Sequence, residues 1–173
     1  MKWDKNVDFI KMKKQLLKDI KELTKEKITY RRLKQITYTV ILLVQLLNGC
    51  RISEAIEGVQ KAATLNKNEV YVRVRKQKHN FRLIVIPTFL NKYLKLIRVL
   101  LPLINRDQVR SYARYHYSIN THSLRYAFIS YLTRKGYPAQ AIASITQHRK
   151  LSLILSYTKR KLGEDILKEI TNI

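Results

Sequence analysis

Apolar residues recur at helical spacing through the start of the chain. Val7, Ile10, Leu16, Leu17, Ile20 and Leu23 punctuate a lysine-rich segment, which predicts an amphipathic helix with a solvated basic face. From about Tyr30 to Asn48 the apolar positions crowd together, most densely between Ile36 and Leu47. This predicts a buried helix, with Gly49 as the left-handed residue just past its end. Thr37, Thr39 and Gln45 break the apolar run, which also falls short of the roughly 20 residues that span a bilayer. Ser53 is the expected N-cap of a short helix, Glu54 to Val59, with Arg51 in the turn before it.

The period then changes to two. Val70, Val72 and Val74 alternate with Tyr71 and Arg73, and Arg82, Ile84 and Ile86 alternate with Leu83 and Val85. A β-hairpin between Glu69 and Pro87 follows, its tip running from Lys76 to Asn80. Pro87 and Thr88 open a helix that Pro102 closes, whereas the polar, basic, tyrosine-rich stretch from Asn105 to Asn120 carries no assignable pattern. Thr121 is expected to cap a helix that runs through Lys135 and stops at Gly136. Pro138 begins another that ends near Gln147. A last periodic run, Leu151 to Lys161, leads into an acidic and apolar tail. No Gly, Ser or Pro-rich linker and no internal repeat divides the chain. The expected architecture is one mainly α domain spanning residues 1–173 with a small antiparallel β-hairpin.

Composition narrows the partner. Lys and Arg number 35 against 12 Asp and Glu, a formal net charge of +23. Such a chain repels itself unless a polyanion screens it, and nucleic acid comes first in that class, ahead of a membrane surface or an acidic protein. The 46% of hydrophobic residues can fill a core, which removes a disordered reading. Cys50 is the single cysteine, so no internal disulfide forms, and with four scattered histidines no zinc cage is expected. The thiol count points to the cytoplasm, and the N-terminus has no apolar segment of the kind that marks export.

Candidate chemistry then rests on context. Arg51 lies at a helix-to-helix turn beside Ser53 and Glu54, while His122 and Arg125 are one turn apart on a helix whose apolar face is Leu124, Ala127, Phe128 and Tyr131. That face points His122 away from the core and leaves Arg125 on its flank, both able to meet a ligand. His148 ends a helix, and Tyr157 follows nine residues later. Each has a plainer reading: Arg51 as a helix cap, Arg125 as partner of a carboxylate, Tyr157 as a core-edge residue, Cys50 as a buried small residue, His79 and His116 as solvated.

Taken as a set, NGCRISEAIEGV (48–59), a hairpin with lysine at its tip, HSLRYAFISYL (122–132) and QHRKLSLILSYTK (147–159) resemble, in order and form, the catalytic domain of the tyrosine recombinase (phage integrase) family. The resemblance covers about residues 30 to 160 and is nearest the compact integrases of archaeal viruses and plasmids. Tyr126 and Ala127 depart from the commonest family wording at positions that carry no chemistry. The resemblance implies the tyrosine recombinase catalytic-domain fold and a DNA strand-transfer enzyme for integration and excision, working through a 3′-phosphotyrosine without metal, ATP or cofactor.

It assigns Tyr157 as nucleophile, Arg51 and Arg125 as phosphate clamps, and His122 to proton transfer. His148 bonds the phosphate or orients the site, and the general acid is Lys78, with Lys76 as the alternative. Arg73, Arg75, Lys76, Arg82, Arg110 and Arg114 are the expected contacts to double-stranded DNA. Only about 30 residues precede the matched region, so the family's N-terminal core-binding domain is expected to be absent. Residues 162–173 are expected to form a tail helix that joins protomers into a homo-oligomer on DNA. A DNA-binding module without catalysis and a type IB topoisomerase are the alternatives.

Overall fold

The computed structural model describes residues 7–74, 80–148, 152 and 154. It is mainly helical: α1 (Phe9–Leu23), α2 (Tyr30–Asn48), α3 (Ile52–Leu65), β1 (Glu69–Arg73), β2 (Phe81–Val85), α4 (Asn91–Ile97), α5 (Arg106–Tyr117), α6 (Thr121–Arg134) and α7 (Ala139–Thr146). Single 3₁₀ turns at Thr88–Leu90 and Leu101–Leu103 flank α4.

The organising element is α2, against which α1, α3, α4, α5 and α6 all pack. Every residue from Ile36 to Leu46 is buried, as befits a helix that is apolar all round. The two threonines in that run are satisfied locally: Thr37 donates to the Leu33 carbonyl at 2.7 Å and Thr39 to the Gln35 carbonyl at 2.8 Å. Gln45 donates to the Thr121 carbonyl at 2.9 Å and so ties α2 to the start of α6. Among the described residues no single helix is long and apolar enough to cross a membrane.

The hairpin is antiparallel, with Val72 opposite Arg82 and Val70 opposite Ile84. Its inward residues pack on α3, where Gly58 leaves no room for a side chain: a Cβ there would lie 2.8 Å from Ile84. At its base, Asn48 imitates a neighbouring strand. Its amide donates to the Val85 carbonyl and its side-chain oxygen accepts from the Val85 N–H, both at 2.9 Å.

Several boundaries differ from expectation. The N-cap of α6 is Asn120, which accepts from Ser123 N–H, and Thr121 is the first helical residue, buried. The helix after Pro87 ends at Ile97, because the chain turns at Arg98–Leu100 and Pro102 sits inside the following 3₁₀ turn. The unassigned stretch holds α5, started by Asn105 and Gln108 in a reciprocal capping box. Only Val109, Tyr112 and Ala113 of α5 are buried, too few to print an apolar period. Likewise α3 starts at Ile52, with Arg51 at the N-cap position in place of Ser53, and extends to Leu65.

Candidate active site

The site forms where α2 ends. Gly49 takes φ +54°, and a Cβ there would stand 2.2 Å from the Phe128 ring, so both conformation and space require glycine. The chain then turns by 110° into α3. Helix ends leave carbonyls without helical partners, and the negative end of the dipole attracts cations. Two guanidiniums meet that end here. Arg82 donates to the Asn48 carbonyl at 2.7 Å and Arg125 to the Gly49 carbonyl at 2.9 Å.

Glu54, in the first turn of α3, has a fully buried side chain and balances the first half of this cluster. One carboxylate oxygen accepts from the Arg51 backbone N–H at 3.0 Å and from Arg82 at 3.3 Å, and the other accepts from the Arg51 guanidinium at 2.9 Å. Arg51 keeps a partly exposed side chain (23%), whereas Arg82 is buried (2%) and its Nε has no partner. Arg82 therefore does not lie on the outer surface as expected of a DNA contact. The strand alternation that buries Ile84 also turns Arg82 inward, and Glu54 receives it.

Arg125 is also a correction. It is 3% exposed, not on an open flank. Because α6 packs on α1, α2 and α7, the buried part of the helix is wider than the four-residue apolar face predicts. The arginine reaches beneath it, bridging the Gly49 carbonyl and the Thr146 carbonyl, the latter at 2.6 Å. Its partners are carbonyls and His148 rather than the carboxylate of its plainer reading, with Nη2 standing 3.2 and 3.3 Å from the two ring nitrogens. Burial, then the charges of Arg51 and Arg82, lower the Arg125 pKa to about 10, so it stays cationic at neutral pH. Burial, then Arg125, Arg51 and Arg82, lower the His148 pKa to about 4, so the ring is neutral. Burial raises the Cys50 thiol to about 12, which leaves it protonated and unreactive.

His122 is exposed in the first turn of α6. With Arg51, Arg106 and Arg110 it lines a cleft of about 280 Å³, to which Ser53 and Thr121 contribute hydroxyls. Arg106, Arg110 and Arg114 follow at four-residue spacing along α5, all exposed, so a stripe of cations leads away from the cleft. Asp107 approaches Arg106 at 3.5 Å and Arg110 at 3.4 Å, but exposed pairs of this kind hold charge weakly. Arg73 is exposed on the hairpin, and His116 is exposed with its ring centroid 4.1 Å from that of Tyr112, the two rings tilted by 36°.

The structure thus brings Arg51, Arg125 and His148 together, with His122 in the adjoining cleft. Arg75, Lys76, Lys78, His79, Tyr157 and the tail 162–173 lie outside the described residues. Two participants were missed by sequence reasoning. Glu54 was readable as the third helical residue after Arg51, the position that a capping box gives to glutamate; Thr146 left no comparable signal.

No protein-family model matches the chain. The chain is 34% identical to an uncharacterized protein of Methanocaldococcus jannaschii, covering 99% of this chain and 90% of that protein. It is 29% identical to V10 of Sputnik virophage, provisionally named an integrase, covering 95% and 88% of the two chains. ORF241 of Acidianus two-tailed virus, also provisionally named an integrase, is 35% identical across 98% of this chain and 69% of its own length. Identity of that degree over more than two thirds of the viral protein shows shared descent: the chain belongs to an integrase-like family.

Proposed function

We propose that the chain is the single catalytic domain of a tyrosine-type site-specific recombinase that cleaves and rejoins double-stranded DNA. The observation that carries this reading is the meeting of Arg51, Arg125 and His148 at the end of α2, with His122 in the adjoining cleft. Sequence positions so far apart converge on three cations against one carboxylate, which leaves the cluster with an excess of positive charge suited to a phosphate. Ile154, three positions before Tyr157 in the sequence, is buried with Ile129 of α6 and Ile142 of α7.

In the proposed reaction the Tyr157 oxygen bonds to phosphorus and the bond to the 5′-oxygen breaks. A phenol has a pKa of about 10 and needs both a proton acceptor and charge stabilisation, which Arg51 and Arg125 supply at the non-bridging oxygens. His122 assists proton transfer, and Lys78, or Lys76, protonates the leaving 5′-oxygen. The phosphotyrosine conserves the energy of the broken bond, so rejoining needs no ATP. Arg73, Arg110 and Arg114, with Arg75 and Lys76 of the hairpin connection, hold the flanking backbone, and residues 162–173 link neighbouring protomers.

The test is a denaturing gel after incubation with DNA from the source replicon in the presence of chelator. Wild type is expected to give a detergent-resistant adduct that Tyr157→Phe abolishes. Binding without adduct favours a non-catalytic module, and cleavage indifferent to sequence, with relaxation of supercoils, favours a type IB topoisomerase.

A further inference from the structure

Thr146 is the last residue of α7 and fully buried. Its hydroxyl oxygen lies 2.6 Å from the Ile142 carbonyl and 2.7 Å from His148 Nδ1. A hydroxyl carries one proton, and a carbonyl only accepts. Thr146 therefore donates to Ile142, and its contact with the ring requires the imidazole proton to be on Nδ1. Arg125 Nη2 stands 3.2 Å from Nδ1 and 3.3 Å from Nε2, so it faces the ring rather than either lone pair, and the choice of tautomer rests on Thr146.

The backbone serves the same end. Gln147 adopts φ +56°, a left-handed step unusual for a residue with a side chain. The His148 N–H then returns to the Ala143 carbonyl at 3.1 Å, a Schellman-type closure that folds the histidine back over Thr146. The Thr146 carbonyl meanwhile receives Arg125 at 2.6 Å. One residue thus holds the arginine by its backbone and the histidine by its side chain.

We propose that Thr146 is a positioning residue that locks His148 in the Nδ1–H tautomer, leaving Nε2 as a proton acceptor beside Arg125. The charged groups acting on the ring are Arg125 of α6, Arg51 before α3 and Arg82 of β2; Glu54 is turned towards Arg51 and Arg82. Burial first, and then these three cations, keep the ring neutral. A neutral ring in this tautomer cannot donate to a phosphate oxygen through Nε2; it accepts from an O–H group. Resting on the recombinase reading, Nε2 then accepts from an O–H group at the phosphate while His122 assists proton transfer.

Nitrogen-15 NMR of the whole chain at neutral pH reads the tautomer directly, with His148→Gln identifying the resonance. Wild type and Thr146→Ser are expected to show protonated Nδ1 and bare Nε2, while Thr146→Val populates the Nε2–H form. In the adduct assay Thr146→Val is expected to slow cleavage by about tenfold or more, and Thr146→Ser to restore most of the rate. An Nε2–H ring in wild type overturns the proposal, as does a Thr146→Val tautomer identical to wild type. If Thr146→Val does not fold, the wild-type and Thr146→Ser spectra still decide. Failure of the two readings is separable. The expected tautomer without any adduct from wild type removes the recombinase and keeps the lock; adduct with the wrong tautomer does the reverse.

Discussion

The two halves of the arginine cluster are neutralised by different means. On the α3 side, Arg51 and Arg82 share the buried carboxylate of Glu54. On the α6 side, Arg125 has carbonyl oxygens and a neutral imidazole, and no full negative charge. A carboxylate satisfies its cations whether or not a ligand arrives. Carbonyl dipoles fix a guanidinium in place while leaving its charge uncompensated, and that is the state in which a phosphate gains most from it. The first half is therefore neutralised within the fold, and the second keeps its charge.

The comparison breaks most severely if its carboxylate is removed. Glu54→Gln is expected to destabilise the fold by about 3–5 kcal/mol, because it leaves Arg82 buried and unpaired; urea titration measures it. Gly49→Ala strikes the turn between the halves, forcing a left-handed alanine into the Phe128 ring, for about 2–4 kcal/mol in the same titration. Arg125→Lys sharpens the contrast. One ammonium cannot bridge the Gly49 and Thr146 carbonyls, so adduct formation is expected to fall about 100-fold or more. Stability should fall by only about 1–3 kcal/mol.

Acid separates the halves further. His148 is lowered in the folded state from the usual 6.5 to about 4, so the unfolded chain binds the extra proton between those values. Its contribution to stability is intact above about pH 6.5 and is lost as pH falls towards about 4. The melting temperature of wild type should therefore drop across that window by more than that of His148→Gln. The smallest effect belongs to the outer surface. Replacing Arg110 and Arg114 with alanine is expected to leave stability nearly unchanged and to lower the slope of log affinity against log salt by about 0.9 for each DNA phosphate that is no longer neutralised.

Much of this fold is legible in the sequence where burial imposes a period. The ends of α2 at Tyr30 and Asn48, the alternation of the two hairpin strands, and α7 between Pro138 and Gln147 all appear as predicted. Helix α5 escaped because it touches the core on a narrow stripe. The site was half legible. Spacing and order mark Arg51, His122, Arg125 and His148 as candidates, yet they do not show the burial of Arg125 and Arg82. A helix-face argument assumes that charged side chains point outward, and these two have unmatched helix carbonyls and Glu54 to receive them inside. Thr146 could not be read at all, because its effect depends on the left-handed turn at Gln147 that brings His148 over it.

The clasp of Asn48 on Val85, together with the inward turn of Arg82, sets where this protein tolerates changes of length. A single residue inserted or deleted within β2 between those anchors inverts every side chain beyond it. Arg82 then leaves Glu54, and a surface residue enters the cluster. The same change in the connection between the strands leaves both anchors in place. Engineered lengthening of the hairpin therefore belongs on the far side of Arg73 and Phe81, where reach can be altered while the arginine cluster keeps its register.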